Sequence, residues 1–438
     1  MKKLILTMAV AVMASAPAMA QKVNTEAIKA KIEKGVEATK DAKKSAKAAT
    51  WLSLGKTYYE AATANTATLF PGLTYDMLLL TTGKASNADE PGIRNIGGKD
   101  YAVLKYDAIE VYVDPANNTV RSWKETAPIE QDAYSKAIAA YKKAYEVDPK
   151  SLDKVGDGYK SVITALTNDG QGFYELGEYD NAAKCFALAA ECAYENPQGV
   201  SENAQQLAFF SGVASTQAEE YAQAEKILSK LKDEGYEQNG DIYVYIATAQ
   251  DKLGNKEGAK ETYLAGISKY ANNTTLLTQF ITYAIVNGED PSVVLPYVLT
   301  AQEADPSNIS LLLAEGIVYD KMKDYDKAIA AYDKALALDP AFFGALYNKG
   351  FAYYSKATEL NKQIGQTDYT NKALIEELKK GYIENMKSAT EVFEKAHEVA
   401  PQDASVVELL RSSYFSLRDE GDNMKAKYEH YNALSKTM

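Results

Sequence analysis

The sequence predicts an all-α chain, a stack of antiparallel helix pairs forming a solenoid, with one small β-containing insertion near its start. Three observations predict it: self-similarity at a period of 34 residues, small residues at fixed places in each copy, and aromatic residues at two other fixed places. A repeat of this length is one supersecondary unit that buries its apolar face only by stacking on its neighbours.

The copy from Ile309 to Pro340 sets Leu312, Gly316, Tyr319, Ala328, Tyr332, Ala335 and Pro340 at positions 4, 8, 11, 20, 24, 27 and 32. Leu346, Gly350 and Tyr353 repeat the first three residues 34 positions later, and Pro306 precedes Pro340 by the same distance. Glycine or alanine at 8, 20 and 27 lets two helices approach closely, and rings at 11 and 24 fill the space between that pair and the next. Proline at 32 ends the second helix because it has no backbone N–H to donate.

Earlier in the chain, Trp51, Leu54, Gly55 and Tyr58 give a first-helix pattern, and Ala137, Tyr141, Ala144 and Pro149 a second, with about 70 extra residues between them. Further copies carry Leu166, Gly170, Phe173, Ala182, Phe186 and Ala189; then Ala208, Gly212, Ala224, Leu228 and Leu231; then Tyr243, Ala247, Ala259, Tyr263 and Gly266. The stretch from Asn273 to Pro306 keeps the length and Ala301. The copy begun at Phe343 resumes at Ala389, Phe393, Ala396 and Pro401, and one with Val407, Leu410 and Tyr414 is expected to cap the array.

These residues resemble the tetratricopeptide-repeat pattern in about eight copies. The resemblance implies a right-handed superhelix whose first helices line a concave groove, commonly used to hold a peptide or another protein. It also implies that positions 2, 5, 9 and 12 of each first helix face that groove. Here those positions hold Lys56 and Tyr59; Gln171 and Tyr174; Phe209; Tyr347, Phe351 and Tyr354; and Phe415. Relatives that grip a terminal carboxylate use a lysine, asparagine and arginine set, of which only Lys56 has a counterpart. Aromatic rings in a groove accept apolar peptide anchors or stack on sugars, and they equally pack on neighbouring helices.

Between the first two repeat helices, Tyr101, Val103, Ile109, Val111, Tyr112, Val113, Val120 and Trp123 are β-branched and aromatic, with a turn at Asp114–Asn118. A small hairpin or meander is expected there, preceded by a loop over Ser86–Gly98. It is read as a recognition element, a lid, or an ornament packed on the first helices. Eight lysines between Lys22 and Lys47, against four acidic residues, suggest a solvated leading helix.

Lys2 and Lys3, the apolar run Leu4–Val12 and Ala18-Met19-Ala20 have the layout of an export signal cleaved after Ala20. The periplasm of a Gram-negative cell is the expected compartment. Gln21 at the new start leaves no cysteine for a lipid anchor, and no later segment has the roughly 20 apolar residues of a membrane span. The expected layout is then signal 1–20, basic helix 21–47, first repeat 48–149 split by an insertion at about 63–128, middle repeats 150–306, and C-terminal repeats 307–438 with a helical insertion at about 356–382.

A net charge of −12, or −14 without the two leader lysines, argues against nucleic acid or an anionic membrane as principal partner. Cys185 and Cys192, seven residues apart on one helix, lie about 10 Å apart by helix geometry, too far for a bridge, and read as packing residues. Two histidines, His397 and His430, do not make a triad or a multi-histidine metal centre, so neither catalysis nor a cofactor is expected. The leading expectation is a scaffold or adaptor binding a protein or extended peptide of the cell envelope, centred on Tyr347, Phe351 and Tyr354. The rivals are a glycan- or peptidoglycan-binding module and an envelope hydrolase.

Overall fold

The computed structural model describes residues 23–270 and 273–436. The expected export signal lies outside the described residues. The chain forms two compact units, residues up to 237 with 248–255, and residues 238–247 with 256 onward.

The first unit opens with α1 (Thr25–Lys40), the single turn α2 (Ala42–Ser45) and α3 (Ala48–Thr63). Between α3 and α5 (Ala133–Val147) lie α4 (Tyr75–Thr82) and strands β1 (Gly92–Ile96), β2 (Lys99–Lys105), β3 (Ile109–Asp114) and β4 (Thr119–Glu125). The strands form an antiparallel meander in sequence order. Helices α6 (Leu152–Glu175), α7 (Tyr179–Glu195), α8 (Ala204–Gln217) and α9 (Tyr221–Asp233) follow as two further pairs. Helix α10 (Asp241–Lys252) carries residues of both units.

The second unit continues with α11 (Lys256–Lys269), α12 (Thr274–Asn287), α13 (Pro291–Ala304), α14 (Ile309–Lys321) and α15 (Tyr325–Leu338). Then come α16 (Phe343–Gln366), α17 (Lys372–Val399), α18 (Ala404–Leu417) and α19 (Asp422–Leu434). Asparagine or aspartate side chains accept backbone N–H groups at several first turns: Asn308 from Ser310, Asp324 from Lys327, Asp403 from Val406. Each satisfies a donor that the helix itself leaves open. The polar stretch 356–382 lengthens α16 and α17 beyond their neighbours.

Pairing within each repeat depends on the absent side chain at position 8. A Cβ on Gly316 would lie 2.2 Å from the Tyr332 ring, and one on Gly350 2.6 Å from Phe393. Both rings are 1 % exposed or less. In the first unit the ring of Tyr141 lies against both Gly55 of α3 and Gly158 of α6, so one side chain ties a pair to its successor.

Two expectations need correction. The segment 86–98 is not all loop, because β1 runs antiparallel to β2 from Gly92↔Val103 to Ile96↔Lys99. Gly97 and Gly98, both at positive φ, make the two-residue turn joining them. β1 lacks an apolar alternation because neither of its faces is fully covered, and so it exists through its backbone bonds to β2. The leading helix is not simply solvated either: Ile28 and Ile32 of α1 are buried, and Gly35 meets Leu54 of α3. Two isoleucines one turn apart suffice to dock an otherwise charged helix.

The glycine contacts give a paired expectation. Gly316→Ala lowers stability by about 1–3 kcal/mol through overpacking, whereas Gly365→Ala, with nothing within 4 Å of the new methyl, raises it by up to ~1 kcal/mol. Urea midpoints of the two variants should move in opposite directions. Equal shifts would refute the steric account.

Candidate functional site

Helix α16 brings three of the sequence-predicted residues onto one face at i, i+4 and i+7 spacing. Tyr347 is half-buried, its ring 6.0 Å from Phe343 and 6.5 Å from Phe393. Phe351 is 38 % exposed and stacks on Tyr354 at 6.4 Å with an interplanar angle of 24°. Tyr354 reaches further, packing beside Ala357, Met386 and Leu417. The face is therefore graded, with Tyr347 packed against the core and Phe351 the more exposed of the three.

Phe415 is also exposed, and packs with Tyr428 at 5.4 Å and under the Arg418 guanidinium at 3.9 Å. Phe209 is not a groove residue. It is 2 % exposed against Phe210 and Tyr236, because α8 is enclosed on several sides, with buried residues running unbroken from Phe209 to Thr216. Lys56 is exposed on α3. Tyr174 is half-buried in an edge-to-face contact with Tyr179 at 5.1 Å.

The insertion in the first unit is seated on α6 and the turn after it. Arg121 of β4 pairs with Glu175 at 3.1 Å, while Lys124 and Arg94 meet Glu178 at 2.9 and 3.2 Å. The Ser122 hydroxyl donates to the Gly172 carbonyl at 3.1 Å, and Val103 and Tyr112 pack on Leu176. Burial alone would raise the Glu178 carboxyl, but hydrogen bonds from Lys124, Asn181 and Arg94 outweigh it and hold the group low. Glu175, whose desolvation Arg121 offsets only in part, is pushed up. The ladder lies on the helix stretch that carries Gln171. Sequence reasoning missed Arg121, Glu175 and Glu178, since partners about 50 to 80 positions apart leave no local signal.

Beneath this seam, Tyr134 donates to Asp169 at 2.8 Å, with Tyr59 nearby. Burial pushes the Asp169 carboxyl up to about 6 against the lowering effect of the Tyr134 bond, and Glu125 adds to the rise. Cys185 and Cys192 are free thiols, each raised to about 12 by burial, and so stay protonated and unreactive. Among the described residues no group of three or more His, Cys, Asp or Glu is placed to hold a metal, and no helix is long and apolar enough to cross a membrane.

Residues 316–356, from within α14 to within α16, match a family model described as a TPR repeat. No curated protein sequence matches the chain. Among solved structures, the chain is similar to the C-terminal part of a TPR repeat-containing protein from Cytophaga hutchinsonii, at 16 % identity and a TM-score of 0.44, over 60 % of this chain and 91 % of that one. It is also similar to YrrB, described as a TPR protein with an unusual peptide-binding site, at 20 % identity and TM-score 0.34, over 48 % of this chain and 98 % of the other. The corresponding values for the MamA protein are 17 %, 0.34, 46 % and 95 %.

The Asp169 environment sets a pH dependence. A carboxyl raised on folding contributes stability that is whole below its unfolded value near 4 and is lost as pH rises through 6. Asp169→Asn keeps an acceptor for Tyr134 without the charge. At pH 8 the variant should be the more stable, by up to ~3 kcal/mol, and at pH 4 the two should coincide. Thermal melts at both values decide it; a wild type more stable at pH 8 would contradict the assignment.

Proposed function

We propose that this chain is a non-catalytic scaffold that binds a protein or an extended peptide, and that the α16 face formed by Tyr347, Phe351 and Tyr354 is one contact surface. The observation that carries the proposal is the stacked Phe351–Tyr354 pair. A phenylalanine ring 38 % exposed beside a half-buried tyrosine keeps apolar area in water, and the rigidity of the pair means little entropy is lost when a partner covers it. We also read each helix pair as one repeat of a single tetratricopeptide array of about eight. The recurrent fit of a position-8 glycine against a position-24 side chain supports this reading, from Gly55 and Tyr141 to Gly350 and Phe393. The leader-like start, from Lys2 to Ala20, supports export to the periplasm and a role in cell-envelope assembly.

The test is a photo-crosslinking residue placed at Phe351 and, as control, at the exposed Glu391 of α17. One recurrent protein captured from Phe351 and not from Glu391 is the expected result. With the probe moved to the exposed Thr358, two turns along the same face, Phe351→Ala should cut capture about tenfold with the melting temperature little changed, as for an interface anchor. Capture of peptidoglycan fragments would transfer the site to the glycan-binding reading, and equal capture at both positions would remove the α16 face as a site.

A further inference from the structure

Helices α14 and α16 run parallel, each packed on α15 and in contact with the other. A Cβ on Gly344 of α16 would meet the Leu313 side chain of α14 at 3.3 Å, which sets those two residues level. Seven residues further along each helix, about 10 Å up both axes, Phe351 stands level with Asp320. Asp320 holds the place in its copy that Tyr354 holds in the next, so it belongs to the same row of positions as the α16 aromatics.

The Asp320 carboxylate has no counter-charge. Its Oδ1 is shut off from solvent and accepts no hydrogen bond among the described residues. Tyr325 and Tyr332 lie near enough to feel the charge, yet neither hydroxyl bonds to it. The neighbouring lysines are committed elsewhere: Lys349 and Lys356 of α16 turn back to Asp333 and Asp326 of α15, and Lys323 reaches Glu359 at 3.9 Å. Burial raises the carboxyl above its ordinary range, and Lys321, the next residue in sequence, offsets this in part. A carboxylate with one oxygen out of reach of water is under-solvated, so a cation placed on its other oxygen gains more than at a fully exposed acid.

We infer that Asp320 and Phe351 form one recognition point, and that the segment bound on the α16 face carries a lysine or arginine beside its apolar anchor. The inference rests on that face being a contact surface, and it adds which partner the surface takes. Two observations select a basic side chain over a neutral or acidic one. The exposed ring accepts the apolar part, and the level carboxylate beside it lacks the one group that a protein cation supplies. The net charge of −12 draws a basic segment to the chain from a distance and repels an acidic one.

The test is selection of a phage-displayed library of random dodecapeptides on the full chain, on Phe351→Ala and on Asp320→Asn. Glu391→Gln, which removes the same unit of charge from an exposed position of α17, is the control. Peptides retained by the wild type and lost on Phe351→Ala should carry a lysine or arginine beside an apolar residue. A synthetic peptide of that sequence should bind Asp320→Asn about tenfold more weakly than the wild type, and Glu391→Gln equally well. Changing its basic residue to glutamine should cost about the same tenfold on the wild type and nothing further on Asp320→Asn. Asp320→Asn should melt no lower than the wild type, since it removes a half-buried charge, so weaker binding is not unfolding. Phe351-dependent peptides without a basic residue, or with one whose loss costs as much on Asp320→Asn, would overturn this inference and leave the contact surface standing. If no peptide depends on Phe351, both readings fail.

Discussion

A ring set against a glycine is the contact on which the rest of this molecule depends. Tyr332 on Gly316 and Phe393 on Gly350 place the two helices of a pair closer than any side chain at position 8 would allow. That closeness turns alanines such as Ala328, Ala335 and Ala389 into fully buried core residues, because nothing larger fits between helices held so near. The same constraint frees the remaining faces. Once position 8 and its ring have fixed a pair, residues such as Phe351, one place further along α16, contribute little to the pairing and are left to meet solvent or a partner.

The insertion shows the same physics in a different form. The sheet has its own apolar cluster, with Leu78, Leu104, Val111 and Val120 buried together, so it does not depend on the helices for a core. Its attachment combines ion pairs, from Arg121, Lys124 and Arg94 to Glu175 and Glu178, with a small apolar contact of Val103 and Tyr112 on Leu176. Largely polar seating of a self-sufficient element leaves crevices that an interdigitated apolar interface would close, and a cleft beside Trp123 is one of them.

Much of the fold was legible because the repeat writes each structural requirement into a fixed position. Close approach requires Gly at 8, filling requires a ring or leucine at 24, and termination favours Pro at 32. The lengthening of α16 and α17 could be read from the polar, helix-prone run 356–382, and the turn at Asp114–Asn118 from its composition. β1 was not legible, because a strand with neither face fully buried shows no alternation, and its partner supplies the hydrogen bonds that define it. For the site, the register rule placed Tyr347, Phe351 and Tyr354 on one helix face but could not separate Phe351 from Phe209. Both occupy groove positions of their copies, and only the packing around α8 makes one of them core.

The sequence by itself determined that the chain pairs its helices and where each pair turns. Those properties follow from side-chain volume and backbone chemistry at positions close in sequence, where a local pattern is sufficient information. Only the tertiary structure decided which aromatics are exposed, that α1 docks through Ile28 and Ile32, and that the inserted sheet is seated on α6 and the turn after it by ion pairs and by Val103 and Tyr112 against Leu176. Burial and charge pairing are relations between residues far apart in the chain, and their identities do not specify their separation until the backbone has folded.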